Sequence, residues 1–358
     1  MAGTRTYAMF SAPEAKVNQL MSSIRERVQY QKLASAAGER QTDAPMPRSM
    51  LVELSNGCNH ACVFCTNPHM QRKVGRIDDG LLTRLMAEAV AAGVREIGFY
   101  TTGEPFVHKD LPAFTAKARE LGFEYIFITT NGAAATPQRL KEVIDAGLSS
   151  IKFSINAGSR ESYRRIHGKD DWDKVVANVR FVSEYRRAQD RPLALAVSHV
   201  VTDLTLPETE SFQALMGPLV DDVILLKCHS QMGQANTAQE KLTQSAGLAP
   251  VLTGICHYPF ERIHVTCEGY LTACCTDYHN YLALVDLNAC SLSEAWNGEA
   301  MKDLRRRHIE GALSGTLCGR CWNNETGSIH PLVPEFATVV DDELFNQSVS
   351  DLLAQRIS

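Results

Sequence analysis

No stretch of this chain approaches the roughly 18 consecutive apolar residues that a membrane helix requires. The opening residues, MAGTRTYAMFSAPEAKVNQL, lack the continuous apolar core of a secretory signal. Both absences lead to a cytoplasmic protein as the expectation. Long runs of like charge are missing too. Lys and Arg number 36 against 41 Asp and Glu, a formal charge of -5, so there is no global electrostatic footprint for nucleic acid, and such a partner is not expected. The chain also lacks a fourth cysteine near the three in SNGCNHACVFCTNPH, residues 55 to 69. What is present suffices for a sizeable core: 44% of its 358 residues are hydrophobic and 22% charged, which suits one large domain plus a smaller one. Eleven cysteines in a reducing compartment would seldom be disulfides, so clustered ones point to metal or redox chemistry.

Helix formers at 12 to 38 run into a polar stretch, SAAGERQTDAPMPR, that reads as a linker. A rhythm follows. Strand-like runs occur at MLVELS (50 to 55), REIGFYTT (95 to 102), EYIFITT (124 to 130), SIKFSI (150 to 155), PLALAVSHVV (192 to 201) and DVILLK (222 to 227). Helical patterns separate them. In the first, Leu81, Leu82, Leu85, Met86, Ala89 and Val90 form the apolar stripe of a helix packed on a sheet. Crossovers of this length join parallel strands, so an α/β unit is expected, a partial (β/α)6 TIM-like barrel rather than a closed one of eight.

In such barrels chemistry sits at the C-terminal strand ends. Strand one ends in the cysteine loop, strand two in Thr102-Gly103-Glu104-Pro105, and strand three in Thr130-Asn131-Gly132. Strand four carries Ser154 and Asn156, strand five Ser198 and His199, strand six Lys227 and Cys228. One reading of the loop is structural zinc held by Cys58, Cys62, Cys65 and His69, a Cys3His set. All four lie on one loop, however, whereas structural zinc usually joins two knuckles of a small domain. Three thiolates can instead hold three irons of a 4Fe-4S cluster and leave the fourth iron open to a further ligand.

With these motifs in order, the chain resembles the radical S-adenosylmethionine (radical SAM) superfamily over residues 50 to about 235. The resemblance implies a 4Fe-4S cluster on Cys58, Cys62 and Cys65 whose open iron chelates S-adenosylmethionine. One electron then yields a 5'-deoxyadenosyl radical that abstracts hydrogen from a substrate. Phe64 matches the aromatic residue that packs near the adenine. Thr102-Gly103-Glu104-Pro105 matches the Gly-Gly-Glu-Pro motif, whose glutamate receives the methionine amino group, with Thr102 replacing the first glycine. Ser154 and Asn156 match the stretch at the ribose and carboxylate, and Asn131 is expected among the cofactor-binding residues.

Past residue 250 the rhythm stops and cysteines return as Cys256, Cys274, Cys318 and Cys321, with Gly269 five residues before the second. This resembles the auxiliary-cluster domains of the SPASM and twitch subfamilies, and the absence of further cysteines after Cys321 favours the shorter twitch form. Four thiolates close an auxiliary 4Fe-4S cluster entirely. A zinc ribbon built from the same four is the alternative. The expected division is therefore 1-48, an N-terminal helical extension and linker; 49-235, the barrel; 250-325, the auxiliary domain; and 326-358, a tail.

The resemblance implies a small-molecule substrate and a cytoplasmic reductant such as flavodoxin or ferredoxin, with no membrane partner. A closed auxiliary cluster cannot bind substrate, so it is expected to take an electron in the oxidation of a sugar or aminocyclitol-type alcohol. The alternatives are epimerisation, with Cys228 as the hydrogen donor at the end of strand six, and modification of a ribosomally made peptide. The last normally brings a leader-binding domain, for which the 48 residues before the barrel are too few.

Overall fold

The computed structural model describes residues 40–190, 192–244, 254–322, 325 and 327–357. The helical segment expected over 12 to 38 lies outside them. All six expected strands form, as β1 (Ser49–Val52), β2 (Glu96–Gly98), β3 (Tyr125–Thr130), β4 (Ser150–Ser154), β5 (Ala194–Val201) and β6 (Asp222–Lys227). Each pairs with the next in parallel. The crossovers are α1 (Asp79–Ala91), α2 (Leu111–Leu121), α3 (Pro137–Asp145), the pair α4 (Arg160–His167) and α5 (Trp172–Ala188), and α6 (Thr209–Met216). In α1 the Asp78 side chain accepts the Leu81 amide at 2.8 Å and starts the helix. The helix then buries Leu81, Leu82, Leu85, Met86 and Ala89 against the sheet.

The sheet does not stop where the strand rhythm stops. Three further strands, β7 (Arg262–Val265), β8 (Tyr270–Thr272) and β9 (Ala283–Asp286), continue it beyond β1. The order is β6-β5-β4-β3-β2-β1-β7-β8-β9, with β7 parallel to β1 and the last two antiparallel. The barrel is thus partial and open, and β7 satisfies the edge that β1 would otherwise expose. Beyond α7 (Asn236–Leu242) and α8 (Tyr258–Glu261), the C-terminal part adds α9 (Leu292–Asn297), α10 (Glu299–Glu310), α11 (Leu317–Trp322) and α12 (Asp342–Ile357). The segment read only as a tail therefore ends in a helix. Its Phe345, Val349 and Leu353, four residues apart, pack on Val63 and Ile166 with Phe64 alongside. Among the described residues no helix is long and apolar enough to cross a membrane.

Candidate active site

The cysteine loop follows β1 and is tied down from several sides. Asn67 Nδ2 donates to the carbonyls of Asn56 and Thr102, both at 2.8 Å. The amides of Ala61 and Val63 donate to the last residues of α4, at 3.2 Å to His167 and 3.0 Å to Ile166. Polar groups surround the three sulfurs. Asn131 Nδ2 donates toward Cys58 Sγ at 3.7 Å, and His167 Nδ1 stands 3.2 Å from Cys62 Sγ. Cys65 Sγ accepts the Asn67 amide at 3.4 Å and lies 3.6 Å from the Tyr278 hydroxyl.

Burial pushes the Cys58 thiol up to about 12 and raises Cys62 and Cys65 as well. Thiols so placed become thiolates by exchanging the proton for a metal. Among the described residues, the sets whose ligand atoms lie within 4.8 Å of one another are His60/Cys62/His167 and Glu53/Cys267/Glu268. The three loop sulfurs do not converge that closely, a spacing that suits the corners of a cluster better than one ion. His69 does not join them: its Nδ1 is 2.8 Å from the Ser348 hydroxyl, and its ring packs on Phe345 in α12. The donor set therefore fits a cluster on Cys58, Cys62 and Cys65 better than Cys3His zinc.

Glu104 is buried beside this loop. Its Oε1 accepts the Phe106 amide at 3.1 Å and the Thr130 hydroxyl at 2.6 Å, and its Oε2 accepts the Asn131 amide at 2.7 Å. Burial nevertheless raises its carboxyl to about 6. A carboxylate offers about four acceptor sites, so one remains. Gly103 shows why a glycine precedes it: a Cβ there would stand 2.2 Å from the Ser55 carbonyl and 2.7 Å from that of Gly57. The Glu104 amide also donates to the Gly57 carbonyl at 2.9 Å.

Thr102 sits where the family motif has glycine, and its hydroxyl donates to buried Glu53. Glu53 in turn accepts Arg72 Nη2 at 2.6 Å and the Cys267 amide at 3.0 Å. Arg72 also bonds Glu268, 2.7 Å from its Oε2. Burial would raise the Glu53 carboxyl, yet Arg72, Thr102 and Cys267 together hold it below its usual value. With Arg72 inside, the Glu53/Cys267/Glu268 set already has its cation. This latch joins the end of β1, the cysteine loop and the β7–β8 turn. Its one sequence signal is a glutamate inside the apolar run MLVELS.

The other expected rim residues divide. Ser198 Oγ donates to Ser154 Oγ at 3.4 Å, while Asn156, at φ +55°, accepts the Val200 amide through Oδ1 at 3.0 Å. His199 leaves the rim, fully buried with its ring 4.7 Å from Phe212 in α6. Cys228 is buried one residue past β6, whereas Leu225 and Lys227 within the strand are exposed. Burial pushes its thiol up to about 12. In the C-terminal part, Cys274, Cys318 and Cys321 share one packing cluster. Cys256 lies close enough to Cys321 and Cys318 to interact with both electrostatically. Cys275 adds a fifth thiol, beside Cys274 and His264 of β7. These cysteines could hold a second cluster. Tyr278, His167 and Arg72 complete the first site without any local signal in the sequence to mark them.

Two family models match the chain: the radical SAM superfamily over residues 52–202 and the SPASM iron-sulfur cluster-binding domain over 256–322. Among curated proteins, a probable GTP 3',8-cyclase of Metallosphaera sedula is 31% identical over 187 residues, 50% of this chain and 55% of that one. A PqqA peptide cyclase of Methylobacterium nodulans is 31% identical over 125 residues, 35% of this chain and 32% of the relative. The matched segments thus span from about a third to just over half of these relatives. Among solved structures, BtrN in complex with AdoMet and 2-DOIA superposes with a TM-score of 0.54 at 18% identity, covering 82% of this chain and 98% of that one. Streptococcus suis SuiB bound to precursor peptide SuiA gives 0.59 at 13%, covering 78% and 70%. At such identities the likeness is one of fold. The chain carries a radical SAM domain and, C-terminal to it, a SPASM iron-sulfur cluster-binding domain, and these domains imply a 4Fe-4S cluster, an auxiliary iron-sulfur cluster and S-adenosylmethionine as its cofactors.

Proposed function

We propose that this enzyme oxidises an alcohol-bearing small molecule of the sugar or aminocyclitol type inside the open barrel, drawing electrons from a cytoplasmic flavodoxin or ferredoxin. The observation that carries the reading is the pair of thiol sets, Cys58, Cys62 and Cys65 at the strand-end rim and Cys256, Cys274, Cys318 and Cys321 in the part that follows β6. When bound, the cofactors supply a 5'-deoxyadenosyl radical at the first set and an electron acceptor at the second. Cys58, Cys62 and Cys65 hold the first cluster, and Cys256, Cys274, Cys318 and Cys321 the second. The free acceptor site of Glu104 takes the methionine ammonium, and Gly103 lets the backbone come close. Thr102 fixes the turn through Glu53. Ser154, Asn156 and Asn131 orient the ribose and carboxylate, and Phe64 faces the adenine.

Glu104→Ala should weaken S-adenosylmethionine binding by about 1.5 to 3 kcal/mol, the worth of a charge-assisted hydrogen bond. Equilibrium binding to the reconstituted enzyme measures it, and unchanged affinity would move the ammonium site elsewhere. A peptide substrate is the second reading, supported by the likeness to the PqqA peptide cyclases and to SuiB. Candidate metabolites and short peptides are therefore tested side by side for 5'-deoxyadenosine release.

Turnover in deuterated water separates oxidation from epimerisation. Oxidation gives a product two hydrogens lighter, without solvent deuterium on the reacting carbon, and leaves substantial activity in Cys228→Ala. A product of unchanged mass apart from one deuterium, lost with turnover in Cys228→Ala, would establish the epimerase instead.

A further inference from the structure

The run CCTDY, residues 274 to 278, touches both thiol sets. Cys274 opens it, and its Sγ stands 3.3 Å from the Thr276 hydroxyl. Tyr278 closes it, with its hydroxyl 3.6 Å from Cys65 Sγ in the loop after β1. The Tyr278 ring is buried, and among the described residues Cys65 is the one hydrogen-bond partner of its hydroxyl. Burying a hydroxyl without a partner is costly, so the sulfur is what satisfies it.

Tyr278 is held in place from two sides. Asp277 Oδ1 accepts the Tyr281 amide and Oδ2 the Leu282 amide, both at 2.8 Å, and Oδ2 also accepts the Thr272 hydroxyl at 2.9 Å. That carboxylate ties the turn around the tyrosine to β8. From the other side, Gln231 Oε1 accepts the amide of Thr66, the residue after Cys65, at 3.0 Å. Gln234 Nε2 donates to the carbonyls of Gln231 at 3.0 Å and Thr276 at 3.1 Å. Gln231 and Met232 both take left-handed backbone, at φ +50° and +61°, and such strain persists only where the surroundings over-determine it. The cysteine loop, the loop after β6 and the turn carrying Tyr278 are thus joined by bonds that do not use the Tyr278 hydroxyl. Its contact with Cys65 is not needed to hold these parts together.

As a cluster ligand Cys65 carries no proton and its sulfur can only accept, so the tyrosine hydroxyl must donate to it. We propose that Tyr278 is a positioning residue for the loop cluster: its hydroxyl donates to Cys65 Sγ and favours the reduced state, which gives the C-terminal domain a part in the one-electron reduction that precedes cofactor cleavage. Reduction adds negative charge to a cluster, and hydrogen bonds to its sulfurs stabilise that charge. The inference rests on the assignment of a cluster to Cys58, Cys62 and Cys65.

The test is a redox titration of the reconstituted enzyme followed by electron paramagnetic resonance, in which the signal that responds to added S-adenosylmethionine marks the loop cluster. Tyr278→Phe should shift the reduction of that cluster about tenfold toward the oxidised state, about 59 mV for one electron, at unchanged iron content. A ring-fluorinated tyrosine at position 278 keeps the shape and makes the hydroxyl a stronger donor, so the potential should rise. Tyr281→Phe is the control, in the same turn but with a hydroxyl that accepts the Val340 amide at 3.2 Å, and it should leave the potential where it is. A potential unmoved by both changes at position 278 would overturn the inference and leave the cluster assignment standing. An equal shift in Tyr281→Phe would overturn it too, because packing of the turn would then be the cause. If Tyr278→Phe loses iron, the sign of the shift in the fluorinated protein decides. A wild-type protein in which no signal responds to S-adenosylmethionine would remove the loop assignment itself, and the inference with it.

Discussion

Replacing Cys58, Cys62 and Cys65 together by alanine should abolish release of 5'-deoxyadenosine from S-adenosylmethionine, whereas the Cys318→Ala, Cys321→Ala double variant should keep some uncoupled release. The expectation follows from the two thiol sets. On the proposed reading the loop set, with Asn131, Asn67 and Tyr278 around it, would hold the open cluster where the cofactor is cleaved. The second set has enough thiols to close its cluster and, on the proposed reading, serves later electron transfer. Iron analysis gives a second readout: about eight irons per chain in the wild type and about four in either variant, from two four-iron clusters. Continued release in the triple variant would refute the assignment of the loop. Stoichiometric zinc beside about four irons in the wild type would reassign the second set.

The latch should yield the second large effect. Arg72→Met leaves Glu53 buried beside Thr102 without its cation, and breaking a buried ion pair from one side costs about 3 to 5 kcal/mol. The shift appears in chemical denaturation of the protein. Adding Glu53→Leu removes the stranded charge, so the double variant should be more stable than Arg72→Met alone, a coupling that separates pairing from simple loss of packing. Glu268→Gln should cost less, because the Glu268 side chain is 31% exposed against 2% for Glu53. A double variant no more stable than the single would remove the electrostatic account.

Much of this is legible in the sequence because it is local. The six strands declare themselves by apolar runs, and all six form. The cysteine loop and Thr102-Gly103-Glu104-Pro105 are contiguous motifs. Their closeness is then dictated by β1 and β2 being neighbours. What escapes a reading of the sequence is set by partners far away in the chain. Arg72 meets Glu268 across 196 positions and Cys62 meets His167 across 105. His199 shows the converse limit. One position past Ser198 on β5 reverses the face, so a polar residue that reads as part of the rim packs against Phe212 instead. The terminal helix α12 gives little sign of itself because its buried residues are few, and they become a core only against Val63 and Ile166.

The union of β7 with β1 has a mechanical meaning. The strand that precedes the first cysteine loop and the strand that leads toward Cys274 are separated by a single strand, and each junction is a ladder of backbone hydrogen bonds. Sliding one thiol set away from the other would require breaking those ladders. If an electron passes between the two sets as proposed, the gap it crosses is a fixed length of the scaffold, like the span between two rungs of one frame, and a substrate would have to fit that gap rather than set it.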